Sequence, residues 1–132
     1  VTVQSPEASL FLHPVRDFVA RSPVTADRRT PVRELARQMA AAGVGSVVIV
    51  GEDGAPAGIV TDRDLRGKVV AEGRDPAATA AADVMSSPLV TVAPGAYGFE
   101  ALLEMTRRGI HHLVVLESGR LIGVVSSHDF LR

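Results

Sequence analysis

The stretch Gly58-Ile59-Val60-Thr61-Asp62-Arg63-Asp64-Leu65 returns sixty-five positions later as Gly123-Val124-Val125-Ser126-Ser127-His128-Asp129-Phe130. In each copy a glycine opens a β-branched run, a hydroxyl residue follows, and an aspartate stands three residues beyond the hydroxyl. That order predicts a buried strand running directly into the first turn of a helix. Two chemistries fit it. Thr61 and Ser126 can be N-caps, with Asp64 and Asp129 reaching back to the cap's backbone N–H in a capping box. Alternatively, the positive end of a helix together with a carboxylate that can accept ribose hydroxyls makes a ligand site. Capping boxes are common, but two copies in one context add weight to the site.

Working outward, the whole chain repeats. Asp83-Val84-Met85 answers Asp17-Phe18-Val19, Ser87-Pro88 answers Ser22-Pro23, Val90-Thr91 answers Val24-Thr25, and Leu113-Val114-Val115-Leu116 answers Val47-Val48-Ile49-Val50. Gly43, Gly54 and Gly58 recur as Gly109, Gly119 and Gly123. The offset stays at about 65, as expected of an internal duplication. Each copy predicts strand, helix, strand, strand, helix. In the first, Thr30 and Pro31 suit an N-cap and a first-turn proline. Val32, Leu35, Ala36, Met39 and Ala40 then share a helical face that Gly43 ends. Val47 to Val50 reads as a strand covered on both faces, hairpinned through Glu52-Asp53-Gly54 to Ala57–Val60. Thr61 starts a helix carrying Leu65, Val69 and Val70, which Gly73 ends. The expected organisation is a linker over 1–13, where Leu10-Phe11-Leu12 could pack on a neighbouring surface, a first repeat over 14–73, a connector over 74–81, and a second repeat over 82–132 with its last helix truncated at Arg132. The chain reads as a piece of something longer.

With 132 residues there is room for one domain or two small repeats sharing a core. The 46% apolar content supplies that core, and no apolar run approaches the length of a membrane span. A net charge of -1 and only one Tyr, four Phe and no Trp argue against nucleic acid as a partner. The absence of cysteine removes disulfides and thiolate metal sites and suits a reducing cytoplasm. A single such repeat would bury too little of its surface, so the expected α/β (α+β) fold is two β-α-β-β-α units packed sheet to sheet about a pseudo-twofold axis.

The Asp-Val-Met opening, Gly43-Val44 before the first hairpin strand, and Gly58 to Asp64 at its close resemble the cystathionine-β-synthase (CBS) domain pair, or Bateman module, over residues 14 to 132. Within that family, Arg107 to Leu113 (Arg-Arg-Gly-Ile-His-His-Leu) and Thr61 to Arg66 are most similar to bacterial proteins joining the module to a cyclic-nucleotide-binding domain and a nucleotidyltransferase-like domain. The resemblance implies a non-catalytic regulatory module with no obligatory cofactor. It would bind adenosine-containing small molecules, AMP, ADP, ATP or S-adenosylmethionine, in inter-repeat clefts. It further implies that Asp64 and Asp129 hold ribose hydroxyls, Thr61 and Ser126 touch ribose or phosphate, and Thr25 and Thr91 help hold adenine. The alternative for Thr25 and Thr91 is a β-former in a strand. His111 and His112 lie where the family often places a basic residue facing phosphate. Read as neighbours on a strand they point to opposite faces, which disfavours one shared metal and leaves an ordinary pair or a phosphate contact by one of them.

Two other function classes stay in view. The chain could be a structural dimerisation module whose aspartates are only caps. An enzyme would need a nucleophile–base pair, metal cluster or P-loop, and none appears. Aligning the two long helices at Met39 and Met105 places Phe99 and Leu103 opposite Arg33 and Arg37, and Tyr97 opposite Pro31. The second helix is thus apolar beyond the stripe of Gly98, Ala101, Leu102 and Met105 that its own core requires. A homodimer seam at Phe99 and Leu103 is therefore expected, unless missing domains or the segment around Phe11 cover that face.

Overall fold

β-Branched side chains at all four positions of Val47-Val48-Ile49-Val50 favour extended backbone. In a computed structural model of the chain, which describes residues 12–19 and 22–130, this run forms β2 (Ser46–Val50), with Val47, Val48 and Ile49 fully buried. It is the central strand of a three-stranded sheet, with β1 (Thr25–Asp27) parallel on one side and β3 (Pro56–Thr61) antiparallel on the other. The second copy repeats the sheet with β4 (Thr91–Val92), β5 (His112–Glu117) and β6 (Arg120–Ser126). The registers correspond: Thr25 pairs with Val48 and Ser46 with Thr61, just as Thr91 pairs with Val114 and His112 with Ser126. The fold is mixed α/β with two three-stranded sheets. The expectations for Leu10 and Phe11, and for the end at Arg132, lie outside the described residues.

Each sheet carries a long helix, Val32–Ala42 in the first copy and Gly98–Arg108 in the second, and each helix ends at a left-handed glycine, Gly43 or Gly109. Glycine is suited there because a Cβ is disfavoured at positive φ. The starts differ from expectation. Thr30 is not the cap: its N–H and hydroxyl both donate to Asp27 Oδ1, at 3.1 and 3.3 Å, and Pro31 occupies the N-cap position without a side-chain hydrogen bond. Carbonyls brought from elsewhere serve instead. Val32 N–H donates to the Thr79 carbonyl at 2.8 Å and Arg33 N–H to Pro76 at 3.1 Å, while Ala81 N–H returns to Thr30 at 2.8 Å. At the second helix, Gly98 N–H donates to His13 at 2.9 Å and Val15 N–H to Ala96 at 2.7 Å. The orphan donors of a helix start are thus satisfied by main chain, which carries no side-chain signature.

These bonds explain a partition that differs from the linear repeats. The helical turn Ala81–Val84, which leads into the second copy, belongs to the compact unit Pro23–Leu89 with the first sheet. The 3-10 turn Val15–Phe18, which leads into the first copy, belongs with Val90–Arg132 and the second sheet. Each core follows suit. Val32, Leu35, Met39, Val47, Ile49 and Val60 pack with Ala81 and Val84, whereas Ala101, Met105, Leu113, Val115 and Val125 pack with Val15 and Phe130. The apolar stripe of the first helix is narrower than expected, since Ala36 and Ala40 are exposed. Beyond Thr61 the chain makes one α turn, Asp62–Asp64, and then a π turn, Leu65–Val70, in which Ala71 N–H reaches back to Arg66 at 2.9 Å. The wider turn keeps Val69 in the core but leaves Val70 74% exposed, against expectation.

The glycines that open the two quoted stretches have a packing reason. Gly58 pairs with Ile49 and Gly123 with Val115, both on the core face, and each leaves room for a residue of the leading turn. A Cβ on Gly58 would stand 2.6 Å from Met85 Sδ and 3.1 Å from the Ser86 carbonyl, and one on Gly123 would overlap Val19 Cγ1. Gly123→Ala is expected to destabilise by about 1–3 kcal/mol, more than Gly58→Ala, because valine is stiff at χ1 and methionine is not. Thermal unfolding should show this order, with Val19→Ala recovering part of the Gly123→Ala loss.

Candidate functional site

Side chains alternate across a strand, so register assigns them to faces. Val47, Ile49 and Val60 turn to the long helix and the first core. Thr25, Ser46, Val48, Ile59 and Thr61 therefore share the other face. In the second copy Thr91, His112, Val114, Val124 and Ser126 share the equivalent face. Thr25 and Thr61 lie two strands apart, roughly 10 Å across the sheet, with valine and isoleucine between them. The sheet thus gathers an apolar floor flanked by hydroxyls, twice.

The register also separates the histidines. β5 begins at His112, so the two do not sit together on a strand as expected. His112 is half-buried on the same face as Ser126 and directly opposite it, while His111 precedes the strand, is exposed, and offers its carbonyl to Ser127 N–H at 3.0 Å. Ser46 occupies the place of His112 in the first copy. Among the described residues no cluster of three or more His, Cys, Asp or Glu could hold a metal.

At the first strand-to-helix turn both halves of the capping box form, and at the second Asp129 reaches back to Ser126. Asp64 Oδ2 accepts from the Thr61 N–H at 2.9 Å and the Thr61 hydroxyl at 3.2 Å, while Asp64 N–H donates to Thr61 Oγ1 at 3.4 Å. Asp129 Oδ2 accepts from the Ser126 N–H at 2.6 Å and its hydroxyl at 3.2 Å. Among the described residues, the first copy shows more. Lys68 Nζ lies 2.9 Å from Asp64 Oδ1 and also donates to the Val84 carbonyl at 2.8 Å, and the Ser86 hydroxyl donates to Oδ1 at 3.2 Å. Ser86 is held by reciprocal backbone bonds with Ile59, at 2.9 and 3.1 Å. Asp64 is accordingly only 6% exposed, whereas Asp129 is intermediate. Lys68 and Ser86 were not among the expected site residues. Lys68 was within reach of a sequence argument, standing four residues after an acid in a helical stretch. Ser86 comes from twenty-two positions away and has no local signal.

Comparison with known proteins now bears on these turns. The CBS domain profile matches residues 15–71 and 81–132. The chain belongs to the CBS-domain family. A CBS domain protein of Pyrobaculum aerophilum, solved in complex with AMP, shares 30% sequence identity and a TM-score of 0.81, over 88% of each chain. A conserved protein of Pyrococcus horikoshii superposes with a TM-score of 0.85 at 25% identity, covering 92% of this chain and 91% of its own. An uncharacterized protein of Methanopyrus kandleri is 40% identical over 119 residues, which is 89% of this chain and 61% of that protein, so the chain spans less than two thirds of this relative. No described helix is long and apolar enough to cross a membrane.

The donor counts give a stability test. Counting donors among the described residues, Asp64→Ala strands four, one of them an ammonium, and is expected to cost about 1–3 kcal/mol, while Asp129→Ala strands two and should cost about 1 kcal/mol. Urea unfolding of the two variants checks the order.

Proposed function

We propose that this chain is a non-catalytic regulatory CBS module that binds an adenosine-containing nucleotide and passes the binding event to attached domains. The carrying observation is the twofold gathering, on one face of each sheet, of a hydroxyl-flanked apolar floor beside a helix-start carboxylate. The half-buried Ile59, or Val124 in the second copy, offers surface to an adenine ring, with Thr25 or Thr91 at its edge. Thr61 or Ser126 and the adjoining aspartate offer polar partners to ribose, and His112 offers a basic partner to phosphate in the second copy alone. The AMP held by the Pyrobaculum relative supports the same class of ligand. Calorimetry with AMP, ADP, ATP and S-adenosylmethionine tests this, and the expected result is saturable binding of at least one of them. Heat from none would remove the proposal.

A structural module without ligand is the second reading, favoured by the complete internal pairing of Asp64. The two differ in a melting experiment. A ligand at 100 times its dissociation constant raises stability by about 2.7 kcal/mol, and a purely structural module gains nothing.

We further propose self-association through the helix Gly98–Arg108. Phe99 is 45% and Leu103 47% exposed, and Tyr97 stacks on Phe99 with ring centroids 5.9 Å apart. Covering the exposed half of these two large side chains would contribute roughly 1.5–3 kcal/mol. Replacing Phe99 and Leu103 with Arg, as Arg33 and Arg37 stand in the first copy, should give a folded monomer by light scattering. A folded double variant that stays dimeric would place the seam elsewhere.

A further inference from the structure

Along an α-helix, residues four apart lie on one ridge and residues seven apart return to the same side. On the helix Gly98–Arg108 the first relation joins Phe99, Leu103 and Arg107, and Tyr97 extends the apolar end by stacking on Phe99 with the rings 13° from parallel. Phe99 and Leu103 are half-exposed. The second relation joins Glu100 to Arg107, both exposed. Two turns separate them, about 10 Å along the axis, so they share a side without being able to pair within one helix. The helix's other two charges are already matched, with Arg108 Nε 3.1 Å from Glu104 Oε2. The outer face is therefore acidic in its first turn, apolar along Phe99 and Leu103, and basic in its last turn.

A face with that order of charge is complementary to itself when turned end for end. A twofold axis beside Leu103 would set two such helices antiparallel and bring Leu103 to Leu103 at the centre. Arg107 of each copy would then lie between the Phe99 ring and the Glu100 carboxylate of the other, where a guanidinium gains from both. Parallel pairing would instead oppose Glu100 to Glu100 and Arg107 to Arg107. The matching ridge of the helix Val32–Ala42 carries Arg33 and Arg37, so docking there would take two guanidinium groups out of water against apolar side chains. We infer that the helix Gly98–Arg108 is an isologous interface that takes the same helix of a second copy antiparallel, with Arg107 setting its direction. This deepens the proposed self-association and rests on it.

The test is sedimentation of the 132-residue chain and its charge variants. The wild type should sediment as a dimer. Glu100→Arg and Arg107→Glu should each weaken that dimer about tenfold, since each breaks two symmetry-related pairs, and the two together in one chain should return it to within about twofold of the wild type. A purely structural role within one helix would give no such recovery, because the exchanged charges oppose the helix dipole. The chain has no cysteine, so engineered thiols report cleanly. On oxidation of a mixture of Phe99→Cys and Arg107→Cys chains, the mixed disulfide should outweigh both like-with-like products. A dimer indifferent to both single reversals would overturn the antiparallel pairing and leave self-association standing. So would an excess of like-with-like disulfides, or a combined variant that is folded by circular dichroism and still weakly dimeric. A wild type that is monomeric at every concentration measured would overturn self-association and this inference together.

Discussion

The structure depends on a main-chain exchange at the helix starts. Helices begin with N–H groups that nothing inside the helix can satisfy. Here the partners of Val32, Arg33 and Gly98 are carbonyls of Thr79, Pro76 and His13, each in a segment that leads into the other copy. Once those bonds form, the turns Ala81–Val84 and Val15–Phe18 are committed to sheets they do not precede directly in sequence. The glycine at the head of each repeated stretch follows from that commitment, since Met85 and Val19 come to lie where a β-carbon would be.

The same arrangement feeds the site. Fixing Val84 and Ser86 beside β3 is what brings a carbonyl and a hydroxyl within reach of Lys68 and Asp64. Local residues supply the Thr61–Asp64 and Ser126–Asp129 contacts, and in the first copy Val84 and Ser86, distant in sequence, add to them.

Much of the fold was legible because its signals are local. The β-branched runs, the glycines at the helix ends and the hydroxyl-to-aspartate spacing each state a backbone preference within a few residues. What escaped was carried by backbone or by distance. Thr30 had the composition of an N-cap, but Asp27 claimed it and main-chain carbonyls did the capping. Val70 fitted an α-helical stripe that the π turn rotated out of the core. The shared face of Thr25, Ser46, Val48, Ile59 and Thr61 follows from alternation only after strand pairing is known, and so does the separation of His112 from His111.

The two units also differ in when a ribosome could complete them. The one spanning Pro23–Leu89 is contiguous, so every bond it needs, including Val32 to Thr79, exists once Leu89 has emerged. The other needs Val15 to meet Ala96 and Gly98 to meet His13, closing a loop that contains the whole first unit. The loop closed by a folded insert is shorter in effective length than a free chain of the same residue count, which lowers the entropy of closure. Synthesis from the N-terminus thus builds the inner unit first and leaves the turn Val15–Phe18 waiting for its sheet, an order written into the connectivity itself.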